Sequence, residues 1–492
     1  MRKKITWFTQ FSYGTGNLLG SGHLALAGTW ILFFYTTFCG LSVVEASTIY
    51  AIATYFDVFG NPIMGFITDN FYKTKLGRRF GRRRFFIMIG IPLMFFYPFL
   101  WVTGKDFIYY LVTYLLFEII YTSVMIPYET LPVEMTTDFG KRTYLTGSKA
   151  IFGAVANFLG SSIPGMFFTL IGKDDPKSLF FSGLTYSLIF AVSLSLLYFN
   201  SWEKEPEEVV ERKFGNPLLA AYHFVKDIFS TLRIKTYRHH LGMYLFGFGS
   251  LWLFTAVFTY FLAFALQQST TMISLVNSIV FVVQFIATAL FIVFCAKKGF
   301  TNPFIIASIM VIASFAGFIC LYLLNLQNNM ILLVLITIIY GFGIGGIYYI
   351  PWTTYAFMPD IDEAVTNRRR EGIYAGSMTL FGKLVRASVV FLLGIILSRV
   401  GFVSSAHTQP QSAIYGLIAL IVIGCVGLTL LGIVSAKFMK LNEKTHSVLI
   451  EEVERVHNGG KLEDVLPENK KVVEALTGFK YNECFGNNRV GK

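Results

Sequence analysis

The sequence predicts an all-α, polytopic membrane protein with twelve spanning helices. Three observations carry that prediction. Hydrophobic residues make up 54% of the 492 positions and charged residues only 14%, against about a quarter charged in soluble domains. No Asp, Glu, Lys or Arg occurs from Ile5 to Val44, from His239 to Ala296, from Gly299 to Pro359, or from Val400 to Ala436. A bilayer helix needs about 20 apolar residues, so the second and third of these stretches each hold two spans and a turn. Mean hydropathy over the whole chain is +0.58. A soluble enzyme and a soluble nucleic-acid binder are thereby excluded. Met1-Arg2-Lys3-Lys4 leads into an apolar stretch with no small-residue cleavage site close behind, so the first span is expected to be retained. The five cysteines (Cys39, Cys295, Cys320, Cys425, Cys484) form no C-x-x-C pair. Neither a disulfide framework nor a structural metal site is expected.

In chain order the spans are expected at 10–38, 45–70, 85–103, 107–134, 144–171 and 178–200, then at 241–267, 271–296, 301–324, 329–357, 372–399 and 412–435. Six precede a polar segment at 201–240 and six follow it. Orientation comes from Lys and Arg in the short loops. Seventeen lie on the side of the N-terminus and four on the other (Lys105, Lys173, Lys177, Arg399). The positive-inside rule then puts both termini in the cytoplasm, in a bacterial inner membrane. The same bias accounts for the net charge of +12. The run from Lys73 to Arg84 sits in one of these loops and reads as a membrane-face anchor rather than a phosphate site. The tail, 437–492, has mixed charge, with an amphipathic surface helix expected at 441–457.

The two halves echo each other. Ile126-Pro127-Tyr128-Glu129-Thr130 matches Ile350-Pro351-Trp352-Thr353-Thr354 at an offset of 224, and the segment Gly147–Gly153 matches Gly376–Gly382 at an offset of 229. Both matches map span n onto span n+6, which indicates a duplicated six-helix unit. Parallel repeats about an axis along the membrane normal characterise the major facilitator architecture. The expected organisation is a six-helix bundle at 1–200, a cytoplasmic loop at 201–240, a second bundle at 241–436 and a cytoplasmic tail at 437–492. In such a fold a substrate site lies between the repeats near the midplane, and alternating access is rocking of one half against the other.

Ionisable groups within the spans are the candidates for that site, because each costs at least about 2.5 kcal/mol at midplane depth on insertion scales. Asp57, Glu118, Glu129, Lys149, Lys383, Arg386 and His23 qualify. Lys383 and Arg386 are spaced i,i+3 and share a helix face. Asp57 with either of them reads as a static ion pair or as transport machinery, and the latter is our expectation. Glu118 reads equally as a buried hydrogen-bonded carboxyl, and Glu129 as a partner closing the helix end on Arg142 or Lys149. His23 reads as a packing residue before a proton carrier. Trp352, beside the Pro351 bend, is the aromatic singled out for stacking on a sugar face. On the cytoplasmic side, Asp69 with the Arg78–Arg84 run (Arg78 and Arg79 foremost), and Asp360, Asp362 and Glu363 with Arg368–Arg370, are expected to gate the halves by opposite charge across the closing interface.

These motifs resemble a known family. Phe34-Tyr35-Thr36-Thr37, the run from Asp57 to Gly65, Gly77-Arg78-Arg79, Tyr121-Thr122 before Ile126-Pro127-Tyr128, and Pro359-Asp360-Ile361-Asp362-Glu363 before the run Arg369–Gly376 and Lys383 are similar to the glycoside–pentoside–hexuronide:cation symporters. The likeness runs from Tyr13 to about Lys440. It implies a cation or proton site at Asp57, Asn61, Tyr121, Thr122 and Lys383. It also implies a saccharide site including Lys149, Thr379 and Lys383. To these we add Asn17, Ser21, His23, Trp352 and Arg386. The family's second carboxylate in this span is here Asn61, a further carboxylate is Met125, and a sugar-binding carboxylate of the first span is Ser21. Proton coupling thus becomes at least as plausible as sodium, and melibiose is not the expected substrate.

The expected function is a secondary active symporter importing a saccharide with H⁺ or Na⁺. An acidic saccharide, a hexuronide or an oligogalacturonide, is favoured because Arg386 is a second cation beside the Lys383 position and the first span offers Asn17, Ser21 and His23 but no carboxylate to hold a neutral sugar's hydroxyls. A neutral glycoside or pentoside, and a facilitator-fold lipid or drug carrier, are the alternatives. A membrane enzyme would need a motif such as H-x-x-x-H or D-x-x-x-D at a membrane face, and the chain has none there, so no catalysis is expected. No cofactor is expected beyond the coupling cation. The partners are the bilayer and the saccharide, with no nucleic acid and no obligate protein partner.

Overall fold

The protein, seen in a computed structural model, is described at residues 4–136, 139–172, 175–203, 226–368 and 370–488. Its helices are α1 (Trp7–Phe38), α2 (Val43–Asn70), α3 (Arg84–Trp101), α4 (Phe107–Met135), α5 (Phe139–Leu170) and α6 (Lys177–Asn200). After the central segment come α7 (Lys235–Ala265), α8 (Thr270–Lys298), α9 (Thr301–Leu323), α10 (Met330–Thr354), α11 (Glu371–Arg399) and α12 (Gln411–Phe438). Eleven of the twelve are long and apolar enough to cross a membrane. The other is α2. Its 28 residues are long enough for a span of about 30 Å, but it carries Glu45, Asp57, Asn61 and Asp69.

Helix starts follow local chemistry. Thr6 and Ser42 close capping boxes with Thr9 and Glu45, and Asp106 accepts from the Tyr109 amide at 3.0 Å. Each side-chain oxygen satisfies an amide that the first turn leaves without a partner. α7 starts at Lys235, earlier than the expected 241. Its first turn is covered by the tail, where the Thr236 hydroxyl donates to the Leu476 carbonyl at 2.6 Å and Tyr237 and His240 are buried. Most of the expected central loop, 204–225, lies outside the described residues.

α1 and α7 both finish in a π-helical turn, Phe34–Phe38 and Phe261–Ala265. These turns occupy matching places in the two halves, as the internal repeat requires. They meet at the end of the bundle opposite both termini. There the Thr36 and Tyr260 hydroxyls are 2.8 Å apart, and the Ser405 amide donates to the Thr36 carbonyl at 3.0 Å. Thr259 donates to the Thr29 carbonyl at 3.0 Å nearby. α2 packs along α11 and α5 along α8. Small residues set these approaches: a Cβ on Gly394 would lie 1.9 Å from Ser47 Oγ, and one on Gly165 would lie 2.7 Å from Ser274 Cβ.

Two tail helices, α13 (Glu443–His457) and α14 (Pro467–Thr477), fold against the second half. The amphipathic helix expected at 441–457 is present as α13, and it lies on the short helix Met358–Thr366 that follows α10. Its Glu452 is 2% exposed and accepts from Tyr481 Oη (2.7 Å), Asn469 Nδ2 (2.8 Å) and Arg455 Nε (3.0 Å). Burial alone raises a carboxyl pKa, but here these hydrogen bonds win and hold Glu452 below the usual carboxylate range.

Candidate functional site

Four of the five residues expected to carry coupling come together between the halves. Asp57 is near the middle of α2 and 8% exposed. One carboxylate oxygen accepts from Thr122 Oγ1 of α4 at 2.7 Å. The other accepts from Lys383 Nζ of α11, a direct ion pair across the interface. Asn61 follows Asp57 by one helical turn. With its amide set by these neighbours, its nitrogen donates to Asp57 Oδ1 at 3.2 Å and its oxygen accepts from Lys383 Nζ at 2.5 Å. Tyr121 is the exception, since its hydroxyl donates to the Gly20 carbonyl at 3.3 Å. Asn61 and Thr122 thus complete the hydrogen bonding that a buried ion pair needs. Among the described residues, no group of three or more His, Cys, Asp or Glu side chains is placed to hold a metal ion.

A second cluster belongs to the first half alone. Lys149 Nζ pairs with Glu129 Oε1 at 2.9 Å and lies 5.6 Å above the Tyr128 ring. Asn17 donates to the Lys149 carbonyl at 2.9 Å. Ser21 lies beside it against Gly153, whose Cβ would come within 3.1 Å of the Ser21 hydroxyl oxygen. His23 is not part of this surface. It is fully buried, with Nε2 at 3.3 Å from Glu118 and Nδ1 at 3.4 Å from Tyr97 Oη.

Arg386 lies over the Tyr50 ring at 5.6 Å and reaches α1 at Gly28. Among the described residues it has no carboxylate partner within ion-pair distance. Lys149 and Lys383 do, so of these three mid-depth cations Arg386 is the one without a direct carboxylate contact. Across the second half, Trp352 is 44% exposed and edge-on to Tyr244 at 5.8 Å. Thr379 is exposed one turn before Lys383 and donates to the Ala375 carbonyl at 3.0 Å.

The family described as MFS/sugar transport protein matches residues 12–443. The chain belongs to this family. It is similar to the glucuronide carrier protein homolog of Escherichia coli, 22% identical over 474 residues that cover 92% of this chain and 97% of that one. A putative glycoside/cation symporter of Escherichia coli is 29% identical over 215 residues, 42% of this chain and 45% of that one. Among solved structures, a D-xylose-proton symporter superposes with a TM-score of 0.60 at 15% identity, covering 88% of this chain and 97% of that chain. The fold is therefore the major facilitator fold, and the resemblance read from the motifs is borne out.

As an MFS/sugar transport protein the chain also carries an aromatic stripe on α7, of which Tyr244 and Phe248 are buried in the core at 4% exposure each. Tyr244, Phe248 and Trp252 are spaced i, i+4, i+8 on α7. Tyr244 and Phe248 are 4.8 Å apart, as are Phe248 and Tyr348 of α10, and Phe248 and Trp252 are 5.5 Å apart. That stripe was legible as a pattern. In a chain with 51 Phe and 26 Tyr it has the same look as lipid-facing or packing residues.

The residues expected to gate are placed as follows. The Arg370 guanidinium grips Asp362 of its own half with two bonds, 2.6 and 2.7 Å, and donates to Ser230 Oγ at 2.9 Å. Asp360 contacts His446 of the tail at 2.9 Å. Arg78 and Arg79 are exposed; Arg78 donates to the Tyr72 carbonyl at 3.4 Å and Arg79 lies over the Phe80 ring at 5.1 Å. Arg82 and Arg83 pair with Glu134 of the first half at 2.6 and 3.4 Å. Glu363 is half-buried, and its carbonyl accepts from the Asn367 amide at 2.8 Å. The Asp69 side chain lies outside the described residues. The described Arg370–Asp362 and Arg82–Glu134 ion pairs each lie within one half.

Proposed function

We propose that the protein is a cation-coupled symporter that imports an acidic saccharide, a hexuronide or an oligogalacturonide, across a bacterial inner membrane with both termini inside. The observation that carries the substrate class is Arg386. Lys149 is paired with Glu129 and Lys383 with Asp57, while Arg386 has no direct carboxylate partner and is free to contact a substrate carboxylate. A planar guanidinium binds a carboxylate bidentately with more geometric specificity than an ammonium. The likeness to a glucuronide carrier homolog supports the same reading. Asp57 is the coupling carboxylate. The Lys383 ammonium already takes the place a hard cation would need, which favours H⁺ over Na⁺.

A neutral glycoside is the second reading, supported by the 44% exposed Trp352 ring, on which a sugar of either charge can stack. Competition separates the two. Uronates should displace a bound uronide tracer from wild type, and neutral α-galactosides should not. Neutral sugars competing better than any uronate would overturn the charge argument. Uptake of labelled sugar against labelled lysolipid, in vesicles with an imposed ion gradient, tests the lipid-carrier alternative.

A further inference from the structure

The buried His23–Glu118 pair plays no part in the sites above. His23 is fully buried and Glu118 is 7% exposed. The rings of Tyr97, Tyr114, Phe117 and Tyr121 surround the imidazole with centroids 4.7–6.3 Å away. An ionisable pair sealed this deep in a membrane protein is a functional feature by default.

Its height in the bundle links it to Arg386. Glu118 precedes Thr122 by one helical turn on α4, and Arg386 follows Lys383 by about one turn on α11. These helices run antiparallel, so both steps lead the same way, toward the end opposite the termini. Asp57, Thr122 and Lys383 form one tier, and Glu118, His23 and Arg386 form the next. Tyr50 spans the upper tier: Arg386 lies over its ring, and Tyr114 of the histidine cage is 6.2 Å from it.

We infer that Glu118–His23 is a second proton-binding site, and that its protonation sets the affinity of Arg386 for an acidic substrate. This rests on the reading of Arg386 as the carboxylate clamp. Without a proton the pair carries one negative charge, which offsets Arg386 across the tier. One proton taken from water brings the pair to zero, whether it sits on the carboxyl or on the ring. The Arg386 charge is then left for the substrate carboxylate. Proton and substrate enter the buried tier as a neutral couple, which avoids burying an uncompensated charge. The other titratable groups facing the pair are the phenols of Tyr97, Tyr114 and Tyr121. Asp57, with Lys383 on it, is one tier away.

The test uses the full-length purified protein and a radiolabelled galacturonide. In wild type, affinity should fall about tenfold per pH unit once the pair has lost its proton. Glu118→Gln, locked in the neutral form, should keep the low-pH affinity with a flat profile. A wild-type slope in Glu118→Gln overturns the inference. An infrared pH titration without substrate should lose one carboxyl signal in Glu118→Gln, and full retention of the signal also overturns it. If that variant does not fold, His23→Gln should shift the binding profile along the pH axis, and an unshifted profile counts against the site. If wild type binds no uronide at any pH, the substrate reading fails instead, and the infrared titration still decides the proton site.

Discussion

Asp57 of α2 and Lys383 of α11 are in direct ion-pair contact although 326 residues separate them. Their side chains are 11% and 26% exposed, and Thr122 and Asn61 supply the remaining hydrogen bonds. The pair bridges the two halves at mid-depth. Anything that neutralises Asp57 weakens the bridge, and under the proposed symport a coupling proton would do so each time the halves rock.

Asp57→Asn should abolish gradient-driven accumulation in vesicles and leave tracer binding to the purified protein measurable. The amide keeps the shape and the Thr122 contact but carries no proton. Accumulation at the wild-type level would show that coupling resides elsewhere.

Lys383→Met should destabilise the protein by about 3–5 kcal/mol, because it leaves the Asp57 charge buried without a partner. Adding Asp57→Asn to Lys383→Met should restore much of that loss. Thermal unfolding of the two single variants and the double variant gives the coupling energy. Additive losses would mean that the ion pair contributes nothing in the ground state.

Arg386→Gln should weaken uronate binding by about 1.5–3 kcal/mol, the range for hydrogen bonds to charged groups, or roughly ten- to hundredfold. Trp352→Ala should weaken uronate and neutral-sugar binding alike, since ring stacking ignores substrate charge. Competition binding on the two variants separates clamp from platform.

Tyr260→Phe removes the hydroxyl contact to Thr36 at the seal between the π-helical turns. A loss of about 1 kcal/mol should shift the closed-to-open ratio at that end roughly fivefold. Gly394→Val should act more strongly, because its side chain meets Ser47 on α2. Labelling of an engineered cysteine inside that end should speed up in both. Unchanged labelling in Gly394→Val would mean that the α2–α11 approach does not control closure there.

The tail should loosen in acid. Glu452 has its pKa lowered in the folded state, so its contribution is complete above the free-glutamate value of about 4.3 and is lost as pH falls through the folded value. Hydrogen exchange of residues 443–488 should rise over that window in wild type. Glu452→Gln should flatten the rise, and an unchanged rise in that variant would assign it to another group.

Much of the candidate site was legible because charge in a membrane span is conspicuous. Asp57, Glu118, Lys149, Lys383 and Arg386 stand out against apolar neighbours in one dimension. Their pairing does not show in that dimension. Lys149 had Glu129 and Arg386 had Asp57 as equally good partners on paper, and His23 looked available to a substrate. Tyr244, Phe248 and Trp252 were hidden for the opposite reason, because an aromatic residue has no signature against a background of aromatics.

The sequence by itself determined the membrane class, the span count, the duplicated halves and the family. These depend on composition, period and local motifs, which survive without knowing what touches what. The caps at Thr6, Ser42 and Asp106 are local as well, yet apolarity alone put the first two starts at 10 and 45, three and two residues late. Only the tertiary structure decided that Lys383 rather than Arg386 holds Asp57, that His23 is sealed behind Tyr97 and Glu118, and that Glu452 is the buried centre of a docked tail. Each of these is a choice among several chemically equivalent partners. The choice is set by the height and rotation of whole helices packed against one another, and Coulomb and hydrogen-bond energies fall off too steeply with distance for residue type alone to make it.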